Sequence, residues 1–129
     1  MKPGIAQRKF SPGFTLLEVM IAVVIVGILT AIAYPSYLNH IRRGHQSDAQ
    51  AQIMEFAAAL EAHKAKNFSY AGASVSALAP NLHANGHYSS NLSLANSNQA
   101  YTISATPSSA LMSGMPTLTL NSSGVASWD

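Results

Sequence analysis

The feature that most constrains this chain is the run from Phe14 to Tyr34, 21 residues whose only polar members are Thr15, Glu18 and Thr30. At about 1.5 Å of rise per residue, a helix of that length spans roughly 30 Å, the thickness of a bilayer's hydrocarbon core. The run is longer than the apolar region of a secretory signal peptide, about 7–15 residues, and no small-residue cleavage site follows a short core. A membrane-spanning helix is therefore expected. The leader MKPGIAQRKFSPG before it is basic and broken by Pro3 and Pro12. By the positive-inside rule the leader stays cytoplasmic and the C-terminus lies outside, although Arg42 and Arg43 beyond the run blunt the asymmetry.

Glu18 is out of place in such a run. An ionisable residue at membrane depth requires a partner, and the leader offers no basic residue nearer than Lys9. A cut after Gly13 would supply one: it leaves a new α-amino cation on Phe14, four residues from Glu18 and one helical turn away. The positive end of the helix dipole also favours a carboxylate there. The pair can form within one chain or between neighbours, where it would set the stagger of packed helices. Gly27 and Pro35 bracket the stretch most prone to bend. Glycine costs about 1 kcal/mol of helix propensity relative to alanine, and proline removes a backbone donor and clashes with the preceding turn.

Charge and composition narrow the rest. Beyond residue 13 there are four basic side chains against five acidic ones, a net of −1. The basic character belongs to the leader, so a nucleic-acid partner is not indicated, since one needs a clustered basic face. There is no cysteine, hence no disulfide and no thiol chemistry. His83 and His87 have the spacing of a metal pair, but they flank Asn85-Gly86 in a stretch read as loop and have no Cys or acid beside them. His40 and His45 are expected to face water or lipid headgroups. No phosphate loop, nucleophile elbow or catalytic triad is visible, so neither enzyme activity, nor a metal, nor a cofactor is expected.

Residues 36–66 continue the helix. Ala49, Ile53, Phe56, Leu60 and His63 recur at spacings of four and three, one amphipathic face, and Glu61 and Lys64 stand at pairing distance. Residues 67–99, rich in Asn, Ser, Ala and Gly, read as loop with at most short elements. From residue 100 to 129 the period becomes two. Tyr101, Ile103 and Ala105 form one strand, Leu118 and Leu120 a second, and Val125 to Trp128 return after a turn at Ser122 to Gly124. The expected fold is α+β: a long N-terminal helix, transmembrane in its first half (14–35), packed on a small antiparallel meander.

GFTLLEVMIAVVIVGILTAIAYPSY, with Gly, Phe, Glu and Pro in this spacing, resembles the N-terminus of type IV prepilins. The tail YTISATP…PTLTLNSSGVASW resembles PilE-like pilins. That resemblance implies a leader of residues 1–13, cleavage between Gly13 and Phe14 by a prepilin peptidase, and N-methylation of Phe14. It also implies docking through Phe14 and Glu18, and helix unwinding between Gly27 and Pro35. The implied partners are other pilin subunits, the inner-membrane assembly machinery and, before assembly, the bilayer. The implied product is a surface filament for adhesion, twitching motility or DNA uptake. A type II secretion pseudopilin and a single-pass membrane-anchored adhesion module are the alternatives. One departure stands out. The family's two C-terminal cysteines are replaced, by Met115 or Pro116 and by Ser127, so either packing, with Met115 and Trp128 as the candidates, or contacts in the filament must substitute for the bridge.

Overall fold

The computed structural model describes Met1, Pro3, Gly4 and residues 12–129. The leader's basic residues Lys2, Arg8 and Lys9 lie outside the described residues. The described chain forms two compact units, Met1–Tyr37 and Leu38–Asp129.

One helix, α1 (Leu16–Asn67), runs through both. In the first unit its large apolar side chains are exposed throughout, from Leu16 to Tyr37. The helix is long and apolar enough to cross a membrane. Neither Gly27 nor Pro35 interrupts it, although both are the weak points the sequence marks.

In the second unit α1 buries one stripe, Ala49, Ile53, Phe56 and Leu60. This is the amphipathic face read from the sequence, with His63 half-buried at its end. Against it lie two short helices, α2 (Val75–Leu78) and α3 (Pro80–His83), and four strands: β1 (Tyr88–Ala95), β2 (Ala100–Pro107), β3 (Leu118–Asn121) and β4 (Ala126–Ser127). The sheet is an antiparallel meander in the order β1-β2-β3-β4. Alternation sends Tyr88, Tyr101, Ile103, Ala105, Leu118 and Leu120 inward to share a core with the α1 stripe, Tyr70, Leu82 and Met112. Each large apolar side chain fully buried there contributes about 1.5–3 kcal/mol.

The opposite face of the sheet has a different composition. Register places Ser89 beside Thr106, Asn91 beside Ser104 and Ser93 beside Thr102. Thr102 in turn faces Asn121, Ser104 faces Thr119, and Thr119 faces Ser127. Every one of these is a short hydroxyl or amide, and none is charged.

The structure corrects three expectations. Residues 67–99 are not a loop: they hold α2, α3 and the eight-residue edge strand β1. A sheet boundary at residue 100 would cut β1 from its partner β2. Glu61 and Lys64 do not pair with each other. Glu61 Oε1 accepts from the Tyr70 hydroxyl at 2.7 Å, while Lys64 Nζ donates to the Gln99 carbonyl at 3.4 Å and sits 4.8 Å from the centre of the Tyr70 ring. His45 does not face open solvent. Its ring lies 3.8 Å, centre to centre, from that of His87, whose Nδ1 is 3.0 Å from Ser109 Oγ.

Candidate assembly segment and ligand surface

The N-terminal segment gains its geometry from a cap. Glu18 N–H donates to Thr15 Oγ1 at 3.2 Å, and α1 opens at Leu16. Thr15 is therefore the N-cap and Glu18 the third helical residue, the Thr-x-x-Glu arrangement of a capping box. The cap satisfies one of the orphan amides of the first turn and fixes where the helix begins. It places the Glu18 carboxylate in the first turn, where the dipole favours a negative charge. The Thr-x-x-Glu signal is visible in TLLE and adds Thr15 to the residues singled out from the sequence.

Gly13 and Phe14 precede the cap, outside any helix or strand, and Phe14 is 78% exposed. A Cβ at Gly13 would meet nothing within 4 Å. Phe14 immediately precedes the N-cap, so an amine at residue 14 would sit at the entrance to the first turn, on the same end as Glu18. Gly27 and Pro35 lie within the continuous helix. Thr30, the remaining polar residue of the run, returns its hydroxyl to the Val26 carbonyl at 2.7 Å, which hides it from an apolar surrounding.

The second unit carries a separate cluster at the C-terminal end of α1. There the β1–β2 turn, Asn96, Ser97 and Asn98, is left-handed at all three residues, a conformation Asn tolerates better than most. Its backbone ties to the chain leaving α1. Tyr70 N–H donates to the Asn98 carbonyl at 2.9 Å, and Gln99 Nε2 donates to the Phe68 carbonyl at 3.0 Å. Tyr70 packs edge-on against Tyr101, with ring centres 4.9 Å apart. Burial, followed by the Glu61 hydrogen bond and charge, holds the Tyr70 hydroxyl well above the usual tyrosine range. Among the described residues no group of three or more His, Cys, Asp or Glu converges on one point.

The C-terminal region is closed without a covalent bridge. Met115 and Trp128 pack against the core, in keeping with the substitution expected from the missing cysteines. Two side chains one turn apart on α1 add to it: Arg42 Nε donates to the Leu111 carbonyl at 2.7 Å, and Gln46 Nε2 to the Trp128 carbonyl at 2.8 Å.

A capped, bilayer-length apolar helix leading into an α+β unit with a four-stranded meander defines the class of type IV pilin-like filament subunits. Comparison with known proteins agrees. Residues 8–34 match the prokaryotic N-terminal methylation motif. Residues 35–115 match the family described as type IV minor pilin ComP, DNA uptake sequence receptor, and the chain belongs to that family. Among curated proteins, it is 41% identical over 64 residues to the type II secretion system core protein G of Pseudomonas aeruginosa, covering 50% of this chain and 45% of that one. It is 43% identical over 55 residues to the type IV major fimbrial protein FimA of Dichelobacter nodosus, covering 43% and 35%. It is also 46% identical over 48 residues to the type IV major pilin PilA of Myxococcus xanthus, covering 35% and 22%. In each case the match spans less than half the relative's length. No solved structure matches the chain. The family description names a DNA receptor, a ligand that the charge balance gave no reason to expect.

Proposed function

We propose that this chain is a minor pilin: a subunit inserted in the inner membrane with its C-terminus periplasmic, cut between Gly13 and Phe14 by a prepilin peptidase, N-methylated on Phe14, and assembled into a type IV pilus. The observation that carries the reading is the exposed apolar surface of Phe14 and of α1 from Leu16 to Tyr37. So large an apolar surface is stable only against lipid or against other helices like itself. Before assembly the bilayer covers it; afterwards, neighbouring subunits do. Glu18 then lies in a low-dielectric surrounding and needs a cation, which the Phe14 amine of its own chain or of a neighbour supplies. An unpaired carboxylate there would be strongly destabilising, so the pair selects the register of the packed helices. Gly27 and Pro35 are the points at which α1 yields on assembly. The role is structural rather than catalytic.

Sequencing the N-terminus of purified surface fibres tests the first step, with methylated Phe14 expected. Fibres whose subunits begin at Met1 would overturn it. Glu18→Ala should insert in the membrane normally and enter fibres poorly, and normal incorporation would remove the docking role.

Two further readings have specific support. The similarity to core protein G favours a secretion pseudopilin, but residues 35–115 match a pilin family, and that favours the pilus. Presence of the chain in surface fibres, rather than in a periplasmic assembly, decides between them. The same family match supports a second role, binding DNA through the second unit. Filter binding of duplex DNA to the detergent-solubilised full chain tests it, with retention expected.

A further inference from the structure

We propose that Phe68 is a stacking platform for an unpaired nucleobase, which gives this pilin a preference for single-stranded over double-stranded DNA. The inference rests on the DNA-binding reading above and adds the residue and strand form that the reading lacks. Phe68 is 84% exposed, although a large aromatic ring on a soluble unit ordinarily hides. Its backbone is left-handed, with φ 59°, at the position just past α1 where Gly or Asn is usual. The cap needs this φ, but a bulky residue there is an outlier, and such outliers concentrate at functional sites.

The surroundings fix the backbone that carries the ring and leave the ring exposed. Phe68 N–H donates to the Lys64 carbonyl at 2.7 Å, and its own carbonyl accepts from Gln99 Nε2. The Gln99 carbonyl in turn takes Lys64 Nζ. One turn of helix thus joins an exposed ring to a lysine, and Lys66 stands exposed between them in sequence. Among the described residues Lys66 makes no side-chain hydrogen bond or ion pair, which leaves its ammonium free for a phosphate. Glu61, the carboxylate nearest in sequence on this end of α1, has one oxygen occupied by the Tyr70 hydroxyl. An exposed aromatic face, with a free cation two residues away in sequence, matches a base and a phosphate of the same strand. In a duplex the base faces are stacked on one another, so only a strand end or a single strand offers a face to Phe68.

The test is fluorescence anisotropy with the full chain in detergent micelles, using labelled oligo(dT) of about 15 nucleotides, within the usual span of single-strand sites, and the matching dA–dT duplex. The wild type should bind the single strand more tightly. Phe68→Ala should weaken single-strand binding about 5- to 150-fold, the range that one stacked base accounts for. It should leave duplex binding within about twofold and the melting curve no less stable, and Phe68→Trp should retain the preference. Equal losses for both DNA forms, or no loss for either, would overturn the role of Phe68 while leaving DNA binding intact. A wild type that binds neither probe would overturn the DNA-binding reading and this inference with it. Unchanged DNA binding with failed incorporation into fibres would reassign Phe68 to a subunit contact.

Discussion

Arg42 and Gln46 should together do much of what a disulfide does in this fold. They sit one turn apart on α1 and hold carbonyls far away in sequence: Leu111 in the 3-10 turn Ala110–Met112, and Trp128 at the end of the chain. A hydrogen bond from a charged donor is worth about 1.5–3 kcal/mol, and a neutral one about 0.5–1.5. Arg42 is only half-buried, so solvent competition places its bond near the lower end of that range. The pair then contributes about 2–3 kcal/mol, within the span of about 2–4 for a disulfide. Urea unfolding of the detergent-solubilised chain measures this directly. Trp128 is the only tryptophan, and its emission reports on the clasp itself. With a slope of about 1–3 kcal/mol per molar urea, Arg42→Ala/Gln46→Ala should lower the midpoint by roughly 1 M. Gln46→Glu, which cannot donate to a carbonyl, should lose as much as Gln46→Ala. A double variant whose midpoint and Trp128 emission match the wild type would refute the reasoning, and packing of Met115 and Trp128 alone would then close the C-terminal region.

Stability should also fall in alkali. Tyr70, Tyr88 and Tyr101 are all shifted upward, chiefly by burial, so the folded chain keeps its phenolic protons while the unfolded chain loses them above about pH 10. Their contribution is complete below that pH and declines above it, by up to about 1.4 kcal/mol per pH unit for each tyrosine. Urea titrations between pH 9 and 11 check this, and a flat profile would contradict it. Phe56→Ala, at a site with no solvent exposure, should cost about 3–5 kcal/mol, whereas Thr106→Ser on the outer sheet face should stay within about 0.5 kcal/mol. Thermal melts of the two variants side by side measure the contrast.

Elements with a periodic burial pattern could be read from the sequence. The α1 stripe was visible because Ala49, Ile53, Phe56 and Leu60 follow the helical period. β2 and β3 were visible because Tyr101, Ile103, Leu118 and Leu120 alternate with Thr and Ser. β1 escaped for a compositional reason. Its alternation of Tyr88, Leu92 and Leu94 with Ser89, Asn91 and Ser93 is real, but Ser and Asn are poor strand formers, and the strand is held by its ladder with β2. Its start is set by Asn85, whose Oδ1 accepts from both His87 and Tyr88 amides while its Nδ2 donates to Gln52. That contact crosses more than thirty positions in sequence and leaves no local signal. The clasp of Arg42 and Gln46 was hidden for the same reason. Gly13, Phe14 and Glu18 could be read because an acid in a bilayer-length run demands a partner, and Thr15 was equally open to reading through its spacing from Glu18. Phe68 was not legible, because exposure and a left-handed backbone are properties of the folded chain alone.

The outer face of the sheet has a consequence for how this surface can change. Asn121 is fixed by the turn that follows it, since its Oδ1 accepts from the Ser123 and Val125 amides at 3.0 Å each. The other serines, threonines and Asn91 on this face make no side-chain hydrogen bond and no ion pair among the described residues, so the fold does not depend on which short polar group stands at those positions. Exchanges there would alter the pattern of hydroxyls presented to the surroundings while the buried rows on the other side of the same strands stay fixed. Because strand alternation separates the two rows residue by residue, the chain can vary its exterior as freely as a written label, with the interior left unedited.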